Sequence, residues 1–436
     1  GLYSSEILNV KFPYCMRISL NFGAVNLIKW FTIPPMSAEK NTALRQHPFI
    51  LPVYLPTFLI SLAGGILIPV LPLYLREFEV GYGLVGLVLS GQAIGMLIMD
   101  IPSGMVMRRL GQRRAMIIGL VLVALSTLAL FWARSVPEAL LYRIISGMGF
   151  SVFGVSRHAY IAENAVIGVR GRAVALFGGI NRIGRFSGPA IGGMIGSALS
   201  LRAPFLITGI LMSVALLLVF IMVPRTQATQ FREQGSLKSY VQQLWSTARD
   251  QYRILTTVGA GQLFAQMVRT GRDVLIPLYG ADVLGLDVAQ IGWISTIASA
   301  IDMTLFYPVG TIMDRWGRKY AIVPSFLVQG IGLALIPLTS GFWGLAAVGG
   351  MIGFGNGLGS GTMMTLGADL APAAARGEFL GMWRLIGDLG FTLGPSIAGA
   401  VAAVLTLPAA ALVMGGSGVV ASMIFLFLVP ETNKQK

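Results

Sequence analysis

Apolar stretches long enough to cross a lipid bilayer recur along the chain from about residue 50 onward. A helix rises about 1.5 Å per residue, so about 20 apolar residues span the hydrocarbon core. The pattern predicts twelve such helices, at 50–75, 81–106, 114–134, 137–160, 171–198, 202–224, 254–280, 287–312, 319–338, 341–365, 374–404 and 408–429. We therefore expect an all-α membrane protein with twelve transmembrane helices.

The pattern also repeats at a constant separation of 206 residues. Residues 104–114 read GMVMRRLGQRR and residues 310–319 read GTIMDRWGRK. The same separation aligns RGRAVALFGGINRIGRFSGPAIGG, at 170–193, with RGEFLGMWRLIGDLGFTLGPSIAG, at 376–399. A duplicated apolar chain with a basic turn in each half is typical of a two-bundle membrane transporter. Because an even number of spans separates the repeats, an axis along the membrane normal relates them.

The duplication divides the chain into two pseudo-symmetric bundles of six helices, which we predict at 50–224 and 254–430. We predict a cytoplasmic linker at 225–253, partly an amphipathic helix on the membrane surface. A cytoplasmic tail at 431–436 completes the chain. Residues 1–49 form a cytoplasmic N-terminal segment, in which 1–35 is either an amphipathic appendage or sequence upstream of a start at Met36. We favour the second alternative for 1–35.

The composition supports a membrane location and explains the charge. Hydrophobic residues make up 55% of the chain, charged residues 11%, and the mean hydropathy is +0.75. The net charge of +14 comes from basic residues that cluster in alternate connections between the spans. The positive-inside rule then places both termini in the cytoplasm of a protein of the plasma (inner) membrane. Topology accounts for these cations, so we expect the bilayer, and no nucleic acid, as their partner.

The sequence offers little chemistry beyond transport. Cys15 is the single cysteine, and His47 and His158 are the two histidines, so we predict no disulfide and no metal site. There is no phosphate-binding loop and no triad pattern, so we expect a protein that is not an enzyme and needs no cofactor.

The two basic turns resemble motif A of the major facilitator superfamily, the loop between the second and third helix of each bundle. The resemblance covers nearly the whole chain from about residue 50 and implies that these loops gate transport. The first copy departs from the family because Arg108 stands where an acid is expected. The gating residues are Gly104, Arg108, Gly111, Arg113, Gly310, Asp314, Arg315, Gly317 and Arg318.

Two further motifs resemble those of the same superfamily. GRFSGPAIGG in the fifth span resembles motif C, which is associated with antiporters, and it contains Gly184, Gly188, Pro189, Gly192 and Gly193. The eleventh span repeats it in part, so an architectural role is the alternative. LLYRIISGMGF in the fourth span resembles motif B, whose arginine the family links to proton coupling. Arg143 matches that arginine, unless it extends to the outer interface.

Several charges lie inside predicted spans, where they are costly and need a reason. Arg269 with Asp273, and Arg384 with Asp388, are spaced i,i+4 and are able to pair within their own helices. The repeat makes Arg182 equivalent to Asp388, so we expect these two to face one another across the bundle interface.

These charges and their polar neighbours supply the candidate site. The candidates for proton coupling are Asp302 first, then Asp273 and Asp388, together with Arg143. Helices 7 and 10 line the central cavity in this superfamily. The candidates for substrate contact are Arg182, Gln262, Gln266, Arg269, Arg272, Asn356, Ser360 and Arg384.

The resemblance implies a monomeric secondary transporter that works by alternating access. Our first prediction is proton-coupled efflux of small amphipathic compounds, as in the twelve-helix drug:proton antiporters, with protons as the coupling ion. The intramembrane excess of arginine favours an alternative, which is symport or uniport of a small organic anion, sugar or siderophore. A non-transporting membrane sensor is the alternative from another class, although a sensor does not need two gating loops.

Overall fold

The computed structural model describes residues 51–164, 170–224 and 237–432, and these residues are helical with short connections and no strand. The first seven helices are α1 (Leu51–Arg76), α2 (Tyr82–Leu110), α3 (Gln112–Trp132), α4 (Val136–Asn164), α5 (Arg170–Ala198), α6 (Ala203–Met222) and α7 (Leu237–Asp250). The others are α8 (Tyr252–Asp282), α9 (Val288–Thr304), α10 (Phe306–Arg315), α11 (Lys319–Leu335), α12 (Gly341–Leu358), α13 (Thr362–Leu370), α14 (Arg376–Val404) and α15 (Leu407–Phe427).

Each predicted span coincides with one of these helices or with a pair of them. By length and composition alone, eight of the helices in the described part are able to cross a membrane, or nine if the bent pair α9–α10 is one span. The remaining three predicted spans are α5, α8 and α12–α13. Arginines lower the apolar content of α5 and α8, and glycines lower that of α12. The all-α membrane fold is confirmed, whereas this criterion alone does not reach twelve.

Two of the predicted spans are broken at a common level. Helices α9 and α10 meet at Leu305 with a bend of 40°. Helix α12 ends at Leu358, and Gly361 has φ of 72°, a left-handed conformation that glycine adopts without strain, before α13 begins. The breaks abut, because a Cβ on Gly357 would lie 2.9 Å from the carbonyl oxygen of Asp302. Discontinuous helices are typical of transporter sites.

The helices pack in two halves that together form one compact unit. In the N-terminal half (α1–α6), α2 packs on α4 and α1 on α5. In the C-terminal half (α8–α15), α11 packs on α15 and α8 on α14. The halves meet mainly where α2 contacts α14 and where α5 contacts α9. The predicted boundaries of the two bundles stay predictions, since the contact between the halves is extensive.

The connections lie alternately on two faces of the molecule. One face carries 77–81, 133–135, 199–202, 283–287, 339–340 and 405–406, and we call it the arginine-poor face. The other carries Gly111, 316–318 and 371–375, and we call it the basic face. The predicted segment 1–49 and residues 433–436 of the tail lie outside the described residues. Within the predicted linker, α7 is a helix whose Trp245 is exposed.

Candidate functional site

A cavity of about 440 Å³ lies between the two halves, lined by all six helices α1–α6 of the N-terminal half and by α8 and α14 of the C-terminal half. Helix α4 contributes a stripe of residues spaced three or four apart, which is the period of one helical face: Arg143, Ser146, Phe150, Phe153, Gly154 and Arg157. The charged side chains that line the cavity are Arg143, Arg157, Arg185 and Asp273. The cavity therefore combines an apolar wall with an excess of guanidinium groups.

Close contacts of glycine backbones seal the halves together near the arginine-poor face. A Cβ on Gly399 of α14 would lie 2.8 Å from the Cα of Gly86 of α2, and one on Gly193 of α5 would lie 3.1 Å from the Cα of Gly292 of α9. The Tyr82 hydroxyl donates to Asp282 at 2.8 Å across the same face. Because any side chain at these glycines would separate the helices, this end of the cavity is closed.

The first charged pair beside the cavity joins α5 to α9. Arg182 Nη1 lies 3.1 Å from Asp302 Oδ1, and Arg182 Nη2 donates to the hydroxyl of Ser360 at the break between α12 and α13. The Arg182 guanidinium lies 4.8 Å from the centre of the Phe306 ring. Arg182 thus links the N-terminal half to both helix breaks of the C-terminal half.

A second arginine approaches the same break from within the C-terminal half. Arg269 Nη2 donates to the carbonyl of Gly359 at 2.8 Å, and Nη1 donates to Gln266 at 3.3 Å. Its guanidinium lies 5.2 Å from the centre of the Phe326 ring. The Gly359 carbonyl also accepts from the Thr362 hydroxyl at 2.8 Å, so Arg269 and α13 share this acceptor at the break.

The second charged cluster joins α14 to α2. Arg384 Nη2 lies 3.2 Å from Asp100 Oδ1, and Arg384 Nε lies 3.4 Å from Asp388 Oδ2. The Ser151 hydroxyl of α4 donates to Asp100 at 2.9 Å. One guanidinium is thus shared by two carboxylates that come from opposite halves, and one of the two negative charges is not balanced by it.

A third cluster lines the cavity itself. Arg185 Nη2 of α5 lies 3.1 Å from Asp273 Oδ2, and Arg272 Nε lies 3.3 Å from Asp273 Oδ1. Here two guanidinium groups share one carboxylate, so the balance is opposite to that of the Arg384 cluster.

The predicted pair between Arg182 and Asp388 is wrong for this conformation. Arg182 pairs with Asp302, and Asp388 pairs with Arg384. The repeat does make the two positions equivalent, but α5 contacts α9 whereas α14 contacts α2. Equivalent residues therefore occupy two separate interfaces instead of facing one another.

The two pairs predicted within helices differ in outcome. Arg384 and Asp388 form theirs. Arg269 and Asp273 do not, because Arg269 turns toward Gly359 and Asp273 toward Arg185.

The predicted substrate contacts on the seventh span (α8) and on the tenth span (α12–α13) do not line this cavity. Gln262 is 5% exposed, and both its amide and that of Gln266 lie at Gly387 of α14. Helix α8 presents Thr270, Asp273 and Val274 to the cavity instead. Within the described residues, none of the predicted substrate contacts lines the cavity; each flanks it or lies inside the C-terminal half. They are Arg182, Gln262, Gln266, Arg269, Arg272, Asn356, Ser360 and Arg384.

Two residues belong to the site although the sequence did not predict them there. Arg157 lies within the predicted span 137–160 but was not among the predicted site residues, and α4 places it in the cavity between Phe153 and Phe177, whose ring centres lie 4.9 and 4.6 Å away. Asp100 was not among the predicted site residues, but its contacts with Ser151 and Arg384 place it at the interface between the halves. The sequence does contain a signal for Arg157: at 3.6 residues per turn, it lies on the same face of its helix as Arg143.

Arg113 and Arg318, one in each basic turn, bond to residues of their own half in the described structure. Arg113 Nη2 donates to the Phe220 carbonyl at 2.6 Å, and Arg108 Nε to the Gly104 carbonyl at 3.4 Å. Arg318 pairs with Asp314 at 3.3 Å and with Asp369 at 3.1 Å.

The second turn has a tight geometry. Gly317 has φ of 121°, and the Glu431 carboxylate accepts from the amides of Arg318 and Lys319 at 2.8 and 3.1 Å. Arg315 is exposed, whereas Gly310 and Gly104 have open space where a Cβ would stand.

The glycines of the motif in α5 serve two contacts. Gly184, Gly188 and Gly192 lie against the backbone of α1, with a Cβ on Gly188 only 2.5 Å from the Gly65 Cα. Gly193 and Pro189 lie against Gly292 of α9 in the other half. The motif therefore joins packing within the N-terminal half to the seal at the arginine-poor face.

The fold and the cavity define a multi-pass membrane transport protein, and sequence comparison gives its family. The model of the Major Facilitator Superfamily matches residues 53–286 and 258–436. The chain belongs to this superfamily, is an integral membrane transporter that binds a small molecule, and is not an enzyme.

Individual relatives are distant. An uncharacterised MFS-type transporter of Methanocaldococcus jannaschii is 22% identical, with 83% of this chain and 92% of the relative covered. The quinolone resistance protein NorA of Staphylococcus aureus is 24% identical, with 82% and 90% covered. The crystal structure of the nucleoside transporter NupG superimposes with a TM-score of 0.71 at 16% identity, covering 89% of this chain and all of that one. These likenesses support the fold.

Proposed function

We propose that the protein exports small amphipathic organic compounds across the plasma membrane in exchange for protons, by alternating access around the central cavity. The observation that carries this proposal is that ion pairs joining the two halves flank the cavity. Such pairs connect a change of charge with the separation of the halves. The likeness to the quinolone resistance protein NorA supports export of a drug-like compound.

The closed end of the cavity supports opening toward the basic face. The seal at Gly86, Gly193, Gly292 and Gly399 lies at the arginine-poor face. The hydrogen bonds and ion pairs between the halves in the described part lie at that face or at mid-depth, and Arg113 and Arg318 of the basic face bond within their own halves. Substrate therefore enters from the basic face in this conformation and leaves after the seal opens.

We assign the proton-coupling role to Asp302. Its ion pair with Arg182 connects α9 to α5, and the side chain is 17% exposed. Protonation removes the negative charge and hence the attraction that the low-dielectric interior strengthens. The halves are then free to separate beside the two helix breaks, whereas deprotonation restores the pair.

Inside-out vesicles that hold a proton gradient and a pH-sensitive dye test this function. Addition of a transported compound releases protons from the vesicles, so dye fluorescence recovers in a substrate-dependent way. The panel contains lipophilic cations and amphipathic anions. Recovery is expected with at least one compound, and Asp302→Asn is expected to abolish it because the side chain no longer ionises.

Asp287→Asn is the matched control. Asp287 begins the same span as the exposed N-cap of α9 and accepts from the Gln290 amide at 2.7 Å, a role that asparagine also fills. This variant is expected to retain full recovery. If Asp302→Asn releases protons to the same extent as the native protein, the role of Asp302 is contradicted. If none of the compounds in the panel causes proton release, antiport is contradicted.

A further inference from the structure

Two arginines on one face of α4 enter the cavity without an acidic partner. Within the described residues, neither Arg143 nor Arg157 forms an ion pair, and the Nε atom of each is buried without a hydrogen-bond partner. Arg157 contacts the rings of Phe153 and Phe177 and donates to the Thr57 hydroxyl at 3.5 Å. Arg143 has no such aromatic contact in the described part of the chain.

The charge of the cavity is strongly one-sided. Among the described residues, Asp273 is the one carboxylate that lines the cavity, and Arg185 and Arg272 already share it. Low-dielectric walls lined by one sign of charge focus the field and concentrate counter-ions. Since an unpaired guanidinium among apolar groups is costly, a ligand that supplies the missing anion gains the energy that the protein itself does not provide.

The positions of the two arginines differ along the cavity. Fourteen residues separate them on α4, which corresponds to about 21 Å of helix rise. Arg143 lies toward the arginine-poor face, where the halves are sealed, and Arg157 lies toward the basic face. Phe150 and Phe153 lie between them on the same stripe, so an apolar body and an anionic group find adjacent surfaces.

We propose that the cavity binds an amphipathic organic anion, a carboxylate or sulfonate on an apolar body, with its anionic group on Arg143 at the closed end. Arg157 is the cation that the anion meets on the way from the basic face. This inference rests on the proposed function and names the substrate class of the same site.

The test is binding to the purified full-length protein in detergent, which is independent of transport and of proton coupling. The probes are 2-naphthalenesulfonate and 2-naphthylmethylammonium, which share an apolar body and differ in charge. Isothermal titration at low salt measures both. The sulfonate is expected to bind, and the ammonium is expected to bind at least tenfold more weakly, the order expected for one charge-assisted hydrogen bond.

Variants assign the preference to its residue. Arg143→Gln is expected to weaken sulfonate binding by about tenfold to a hundredfold, and Arg143→Lys, which keeps the charge, is expected to recover most of it. Arg134→Gln is the control, because Arg134 is an exposed arginine of the 133–135 connection outside the cavity. Thermal unfolding of each variant in detergent shows that the fold is retained.

Three results overturn the proposal: tighter or equal binding of the ammonium probe, sulfonate binding that Arg143→Gln leaves unchanged, or no binding of either probe at millimolar concentration. Each is distinguishable from failure of the proposed function, because the vesicle assay reports proton release with any compound. A cavity that prefers the ammonium, together with dye recovery on adding cations, retains the exporter and rejects the anion.

Discussion

At the scale of single residues, the Arg384 cluster makes a stability prediction. Arg384 stands between Asp100 and Asp388, at 3.2 and 3.4 Å. Arg384→Gln leaves two carboxylates close together with no cation between them, and their repulsion acts in a partly buried place. We expect the midpoint of thermal unfolding in detergent to fall by several degrees.

A second substitution in the same cluster checks the cause. Adding Asp388→Asn to Arg384→Gln removes one of the two negative charges, so the double variant is expected to be more stable than the single variant Arg384→Gln. The double-mutant cycle measures this coupling directly. If the losses of stability in the two single variants simply add in the double variant, the side chains of Arg384 and Asp388 do not interact.

At the scale of secondary-structure elements, the seal between α5 and α9 is expected to control which face is open. A Cβ on Gly193 would lie 2.5 Å from the Val288 carbonyl oxygen and 3.1 Å from the Gly292 Cα, and backbone atoms move only if the helices separate. Gly193→Ala is therefore expected to favour conformations that open at the arginine-poor face. Gly179→Ala is the control on the same helix, because a Cβ there meets nothing within 4 Å.

The measurement for this prediction uses a cavity cysteine. The chain has one cysteine, so Cys15→Ser gives a background into which Gln92→Cys places a thiol in the cavity. A membrane-impermeant maleimide applied from the arginine-poor face is expected to label Gln92→Cys faster with Gly193→Ala than with Gly179→Ala. Equal rates in the two variants would mean that the glycine seal does not limit opening.

The elements also show what the sequence determines. The apolar periods predict where the helices lie, because the bilayer requires long apolar segments in which every backbone group is satisfied. The break at Leu305 was not predicted, since it lies at the tertiary contact between Asp302 and Gly357. The partner of Arg182 was mispredicted for the same reason: a repeat relates positions by symmetry, whereas contact depends on which helices of the two halves pack together.

At the scale of the whole molecule, the distribution of charge is expected to set the orientation in the membrane. The basic face carries Arg318 and Lys319 after α10 and Arg113 at the start of α3, whereas the arginine-poor face carries Arg134 and Arg202. Segments rich in lysine and arginine remain in the cytoplasm. The cavity, which is sealed at the arginine-poor face, would then open toward the cytoplasm in this conformation.

Two exposed residues in the Cys15→Ser background test this orientation. Leu199 is 73% exposed on the arginine-poor face, and Trp316 is 60% exposed on the basic face. In intact cells, a membrane-impermeant maleimide is expected to label Leu199→Cys, and to label Trp316→Cys only after the membrane is permeabilised. The opposite result would contradict this orientation, because the basic face and the Arg157 end of the cavity would then lie outside the cell.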